Sequence, residues 1–120
     1  MKYILVLFLL FVLVLPAASL SFDDAMQSKK PFVFYMYQDN CSACKYFDTI
    51  YYDTKKHYNK KFNFVRQNAN TALSKKLIKK WNINEVPYVL IINPETQKAS
   101  RIGSYCLMSL DCFAKTMDNY

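Results

Sequence analysis

The decisive stretch is Phe32-Val33-Phe34-Tyr35-Met36-Tyr37, six consecutive apolar or aromatic residues that lead through three polar residues into Cys41-Ser42-Ala43-Cys44. A short run without polar alternation is typical of a strand buried on both faces. After Cys41 the apolar positions recur with a helical period, at Ala43, Phe47, Ile50 or Tyr51, Thr54 and Tyr58. The two patterns predict a central strand followed by a helix from about Cys41 to Tyr58.

The remaining residues from Ser21 onward predict further short helices and strands. Ser21 is placed to cap a short helix that ends before Pro31. Strands are predicted at residues 62–65, 88–92 and 99–102, and helices at 71–81 and 109–119. The helix at 71–81 should turn its apolar residues inward, which are Ala72, Leu73, Leu77 and Ile78. Asn59 and Asn82 are placed to close helices, because asparagine tolerates the left-handed geometry of helix ends.

The order of these elements defines the architecture. Two strands joined through a helix form a parallel pair with a right-handed crossover, whereas the last two strands form a hairpin. The sequence therefore predicts an α/β fold with a mixed four-stranded sheet and helices on both faces.

The amino-terminal segment has a different composition from the rest. Lys2 precedes an apolar run from Ile4 to Leu15, followed by small residues, which is typical of a signal peptide. The prediction is a signal peptide at 1–20 and one domain at 21–120, exported to a periplasm, a lumen or the medium. An uncleaved membrane anchor is the alternative. The run is too short for a typical membrane-spanning helix, which needs about 20 residues.

Whole-chain totals exclude several classes of protein. The 120 residues fit one domain. Their 52% hydrophobic and 17% aromatic content excludes a disordered chain. Since the apolar residues are concentrated near the amino terminus, a multi-pass membrane protein is excluded too.

Cys41 and Cys44 form the most informative motif. Cys41 falls at the start of the predicted helix, where unpaired amides and the helix dipole stabilise a thiolate. A thiolate attacks disulfides, and a second cysteine at this spacing can resolve the product. Two other interpretations are a structural disulfide and half of a zinc site. Zinc is disfavoured because the other cysteines, Cys106 and Cys112, are more widely spaced and His57 is the only histidine.

With these motifs the chain resembles the thioredoxin superfamily. The resemblance rests on the strand that leads into Cys41-Ser42-Ala43-Cys44-Lys45, on Phe64-Val65-Arg66, on the segment from Trp81 to Pro87, and on Ile102-Gly103. It implies a thioredoxin-like fold, with a cis bond at Val86-Pro87 facing the cysteines. It also implies a substrate edge that includes Val86, Pro87 and Gly103, and thiol:disulfide exchange with protein substrates. The redox partner is not identified, and no metal or organic cofactor is required.

Two departures from the family affect its chemistry. Ser42-Ala43 stands between the cysteines, where thioredoxin has Gly-Pro and strongly oxidising bacterial relatives have Pro-His, so the redox direction is not assigned. Tyr35 stands where the family has a buried aspartate that assists the resolving cysteine, and Arg66 replaces a lysine. One hypothesis is that Asp39 and water take over this role.

Cys106 and Cys112 flank a five-residue segment before the last helix. An accessory structural disulfide is the leading interpretation for an exported protein. A second redox pair that relays electrons from Cys41 and Cys44 is the alternative.

The net charge of +7 comes largely from lysine pairs. The pairs at 75–76 and 79–80 predict an exposed basic face, which is either simply solvated or attracted to an anionic membrane surface. Nucleic-acid binding is not expected. Beside the oxidoreductase hypothesis stands a second class, a non-catalytic binding module in which the C-x-x-C disulfide is structural.

Overall fold

The computed structural model describes residues 20–120, so the predicted signal peptide lies almost entirely outside the described residues and stays a prediction. The elements, in chain order, are α1 Phe22–Gln27, β1 Phe32–Tyr37, α2 Ser42–Tyr58, β2 Asn63–Asn68, α3 Ala72–Trp81, β3 Tyr88–Asn93, β4 Lys98–Arg101, a 3-10 turn at Cys106–Met108, and α4 Leu110–Asp118. Every helix and strand predicted for this part of the chain is present. No helix within residues 20–120 has the length and apolar character needed to cross a membrane.

The four strands form one mixed sheet in the order β2-β1-β3-β4. β1 pairs with β2 in parallel and with β3 antiparallel, and β3 and β4 form the predicted hairpin. The predicted fold class is confirmed, with β1 in the interior of the sheet.

Burial on both faces explains why β1 is continuously apolar. Val33 and Tyr35 point into the core beneath α2 and α4. Phe32, Phe34 and Met36 point into the opposite core, which Phe22 of α1 and Leu77 of α3 also fill. Because strand side chains alternate between faces, only an uninterrupted apolar run can serve two cores.

The direction of β3 decides where Pro87 lies. β3 follows a helix, as β2 does, yet it runs antiparallel to β1, so the rule that a helical connection gives a parallel pair holds for β1 and β2 only. After α3 the chain reverses at Asn82, whose φ of 51° is left-handed, and an irregular segment leads to β3. Since Met36 is opposite Tyr88, Pro87 lies beyond the same end of β1 as Cys41.

The buried faces of α2 and α3 each differ from the prediction at one position in the first turn. Ala43 is exposed, and the buried residue in the first turn of α2 is Cys44. Ala72 is also exposed, and the buried residue of the first turn of α3 is Ser74. The Ser74 hydroxyl donates to the carbonyl of Asn68, so its burial leaves no polar group unpaired.

Candidate active site

Cys41 and Cys44 lie at the start of α2, as predicted, and they are bridged as a disulfide with their Cα atoms 5.1 Å apart. Cys41 is the N-cap residue, and its Sγ accepts a hydrogen bond of 3.0 Å from the Cys44 amide. Cys41 is half-buried, whereas Cys44 is only 2% exposed. Cys41 is therefore the more accessible cysteine of the pair.

The Val86–Pro87 segment faces this disulfide. Its peptide bond is cis, as the resemblance implied, and the Val86 carbonyl oxygen lies 3.8 Å from Cys41 Sγ. A groove of about 190 Å³ opens beside the disulfide. Its lining residues are Ala43, Glu85, Val86, Pro87, Ser104, Leu107 and Met108. The groove leads along the cis-proline segment to the reactive end of α2.

A polar network contacts the backbone of Cys44. The Tyr35 hydroxyl is 3.0 Å from the Cys44 carbonyl oxygen and 2.8 Å from a carboxylate oxygen of Asp48. Arg66 donates two hydrogen bonds to the same carboxylate, of 3.2 and 3.1 Å. The Arg66 guanidinium also stacks over the ring of Tyr37, 3.5 Å from its centroid. Asp48 is thus fixed within two hydrogen bonds of the resolving cysteine.

The phenol of Tyr35 stays neutral in this network. Burial raises the pKa of Tyr35 well above its ordinary value, and the hydrogen bond to Asp48 and the charge of Asp48 raise it further. Partial burial lowers the pKa of Arg66, but the hydrogen bond and charge of Asp48 outweigh burial and leave it raised. Tyr35 is consequently a hydrogen-bond donor, and Asp48 is the group in the network that can accept a proton.

A sequence profile of the thioredoxin family matches residues 13–116. The chain belongs to the thioredoxin family. The fold and the C-x-x-C pair at the start of α2 agree with this membership.

Individual relatives are distant in sequence. The chain is 23% identical over 88 residues to the thioredoxin-like protein HCF164, chloroplastic, of Arabidopsis thaliana. That match covers 73% of this chain and 34% of the relative, so the chain spans about a third of the relative's length.

Solved thioredoxin structures share the fold. A thioredoxin from Thermus thermophilus aligns with a TM-score of 0.68 at 13% identity, over 85% of this chain and 87% of that one. The germline-specific thioredoxin Deadhead of Drosophila melanogaster gives 0.66 at 14% identity, over 85% and 97% of the two chains. The J-Trx1 fragment of ERdj5 gives 0.66 at 18% identity, over 82% and 45%.

Within this thioredoxin fold, Asp48 is a site residue that the sequence patterns do not predict. Asp39, the carboxylate suggested by the sequence, is exposed in the turn before α2, and the carboxylate that contacts Tyr35 is Asp48. The available signal was its spacing, because Asp48 follows Cys44 by four residues and so lies one helical turn away on the same face.

Cys106 and Cys112 form a second disulfide, with Cα atoms 4.9 Å apart. The bridge joins the 3-10 turn to the first turn of α4. Gly103 lies just before this turn, exposed, and a Cβ added there would meet nothing within 4 Å. Neither space nor backbone geometry requires glycine at this position, so its predicted contact with substrate stays a prediction.

The other candidate groups lie away from the disulfide. Within residues 20–120 there is no group of three or more histidine, cysteine or acidic side chains that could hold a metal ion. His57 lies on the surface of α2, where its Nδ1 is 3.9 Å from a carboxylate oxygen of Asp53. The four lysines of α3 are all exposed.

Proposed function

We propose that this thioredoxin-family protein is a thiol:disulfide oxidoreductase that exchanges the Cys41–Cys44 pair with protein substrates. One observation carries the proposal. The half-buried Cys41 caps α2, and its Sγ accepts a hydrogen bond from the Cys44 amide, while Cys44 itself is buried. This arrangement gives one accessible, stabilised thiolate and one protected thiol, as the reaction requires.

The reaction begins, in the reducing direction, with the Cys41 thiolate. It attacks one sulfur of a substrate disulfide, forms a mixed disulfide and expels the other substrate sulfur as a thiolate. Cys44 then loses its proton and attacks Cys41 Sγ, which releases the second substrate thiol. The substrate gains two electrons and the Cys41–Cys44 pair loses them. Run in reverse, the oxidised pair donates its disulfide.

We infer that substrate docks as an extended segment along Val86, Pro87 and Gly103. The support is the position of the Val86 carbonyl, 3.8 Å from Cys41 Sγ, which is available to a peptide amide that approaches the sulfur. No metal or organic cofactor enters this chemistry, since both electrons pass between sulfur atoms.

The proton of Cys44 needs an acceptor, and we assign that role to Asp48. Its carboxylate is held by Arg66 and reaches the backbone of Cys44 through Tyr35. In this proposal Tyr35 and Arg66 orient the carboxylate, and a solvent water would carry the proton from the thiol to it.

Catalysed reduction of a protein disulfide by dithiothreitol tests the activity. We expect the wild-type protein to accelerate reduction and Cys41→Ser to abolish the acceleration. The control is Cys106→Ser/Cys112→Ser, which removes two cysteines outside the candidate site and should retain the acceleration. Equal rates for wild type and Cys41→Ser would contradict the proposal and favour the binding module.

Equilibration with glutathione then gives the reduction potential of Cys41–Cys44, which decides between reductant and oxidant.

We propose that the protein acts outside the cytosol, on the strength of the apolar segment after Lys2. An anionic membrane surface is a candidate partner for the exposed lysines of α3. Fractionation of cells that express the full chain, with mass spectrometry of the recovered protein, tests both export and cleavage near residue 20. Full-length protein recovered from the cytosol would contradict the export proposal.

A further inference from the structure

Large apolar side chains are exposed around the turn that lines the groove. Met108 lines the groove and is 55% exposed. Tyr46, 51% exposed, reaches across from α2 and donates from its hydroxyl to the Met108 carbonyl at 3.3 Å. Tyr105, in the same turn as Met108, is 80% exposed. Exposed large apolar side chains beside the groove indicate a surface that meets a partner.

The turn that presents Met108 is firmly held. We call residues 103–109 the disulfide-bound turn, because Cys106 within it is bridged to Cys112 of α4. Three successive amides in the turn, those of residues 106, 107 and 108, each donate to the carbonyl three residues earlier. Leu107 is buried in the core beneath α2, and Ser109 caps α4. The backbone that carries Met108 is therefore held in place.

The charge of the groove is neutralised. Glu85 is the one charged residue among those that line it, and its carboxylate pairs with Arg101. Burying a further charged side chain there without a partner would cost free energy, whereas an apolar side chain gains by leaving water.

From these observations we propose that the disulfide-bound turn determines substrate specificity. It selects extended peptide segments in which an apolar side chain adjacent to the reacting cysteine packs against Met108. The reaction holds the substrate cysteine at Cys41. The neutral, largely apolar lining between Ala43 and Met108 favours an apolar side chain next to that cysteine. This inference rests on the proposed function and adds the substrate class.

Three peptides test the proposal with the full chain. Each carries one cysteine as a mixed disulfide with glutathione, and they differ only in the residue next to it, which is Leu, Ser or Glu. We expect kcat/KM for the Leu peptide to exceed that for the Ser and Glu peptides by about tenfold, which corresponds to burial of one aliphatic side chain.

Met108→Ser identifies the turn as the source of this preference. We expect it to reduce the Leu-to-Ser ratio to within about twofold, while the reduction potential of Cys41–Cys44 stays the same. The matched control is Leu110→Ser. Leu110 is 45% exposed, but it lines a separate groove with His57 and Tyr58, so the preference should persist. Cys106→Ala/Cys112→Ala, which frees the turn, should weaken the preference as Met108→Ser does.

Each outcome is informative about one claim. Equal rates for the three peptides with wild-type protein, or an equal loss of preference in Leu110→Ser, would overturn the specificity proposal and leave the activity intact. Activity that falls with rising protein concentration would show that a second copy of this chain occupies the groove, and would also overturn it. Failure of wild type to react with any peptide would contradict the proposed function itself.

Discussion

The carboxylate near the resolving cysteine is Asp48 of α2, whereas the position of the family's buried aspartate, on β1, holds Tyr35 in this chain. The Tyr35 hydroxyl has one proton but two acceptors within reach, the Cys44 carbonyl and the Asp48 carboxylate. The hydroxyl therefore links the Asp48 carboxylate to the backbone of the resolving cysteine.

Asp48→Asn should slow resolution of the mixed disulfide by tenfold or more near neutral pH, because the thiol of Cys44 loses its proton acceptor. Stopped-flow release of the second substrate thiol, followed from pH 5 to 9, measures this rate. The control is Asp53→Asn, one turn further along α2, where the carboxylate pairs with His57 on the surface. A pH profile unchanged from wild type in Asp48→Asn would remove Asp48 from the mechanism.

Tyr35 links the network to stability at high pH. Burial raises its pKa above the ordinary value of 10.0 in the folded state. Its contribution to the free energy of unfolding is therefore complete below pH 10 and is lost as the pH rises further. Tyr35→Phe should cost about 1 kcal/mol at pH 7 through the lost hydrogen bonds. It should also lose less stability than wild type between pH 9 and 11, as measured by urea unfolding. Parallel losses in the two proteins would argue against this account of Tyr35.

At the scale of the element, apolar spacing predicted where helices lie better than which first-turn residue is buried. Ala43 and Ala72 fit the helical stripes but are exposed. Cys44 is buried because its bridge to Cys41 and its contact with Tyr35 enclose it. Ser74 is buried because its hydroxyl has a partner in Asn68. Such pairings depend on residues brought together by the fold, and a hydrophobic pattern carries no record of them.

The ends of α2 and α3 give a matched pair for testing helix closure. Asn82 has a left-handed φ of 51°, whereas Asn59 has an ordinary helical φ of −65°. Asn82→Ala should cost about 1–2 kcal/mol, because a Cβ disfavours this geometry without the local hydrogen bonding that asparagine offers. Asn82→Gly should be close to neutral, and Asn59→Ala should have little effect. Chemical denaturation checks all three, and equal losses in the two alanine variants would contradict the assignment.

The Cys106–Cys112 bridge should act on stability more than on redox chemistry. Removing it as Cys106→Ala/Cys112→Ala should lower the free energy of unfolding by about 2 kcal/mol, as expected for a loop of this length. Mass spectrometry under graded reductant should show Cys41–Cys44 opening first. If both pairs opened at the same reductant concentration, the second would be a redox pair and the structural interpretation would fail.

On the scale of the whole molecule, the sheet is the scaffold that brings the site together. β1 ends just before Cys41, and the antiparallel register of β3 brings Pro87 to the same end. The sequence predicted the mixed sheet and its strands, because unbroken apolar runs report burial directly. Apolar patterns alone did not predict the direction of β3, since that depends on how the segment after Asn82 returns across the sheet; only the resemblance implied that Pro87 faces the cysteines. The reactive groove exists only because this return places Val86 opposite Cys41.

The most direct test of the oxidoreductase proposal is trapping of the mixed disulfide on Cys41. Reduced Cys44→Ala and Cys41→Ala proteins are each incubated at pH 7 with a peptide that contains an internal disulfide, and the adducts are located by mass spectrometry. The account predicts an adduct on Cys41 that forms at least about tenfold faster than any adduct on the enclosed Cys44. Equal rates in the two variants, or no adduct on Cys41, would contradict it.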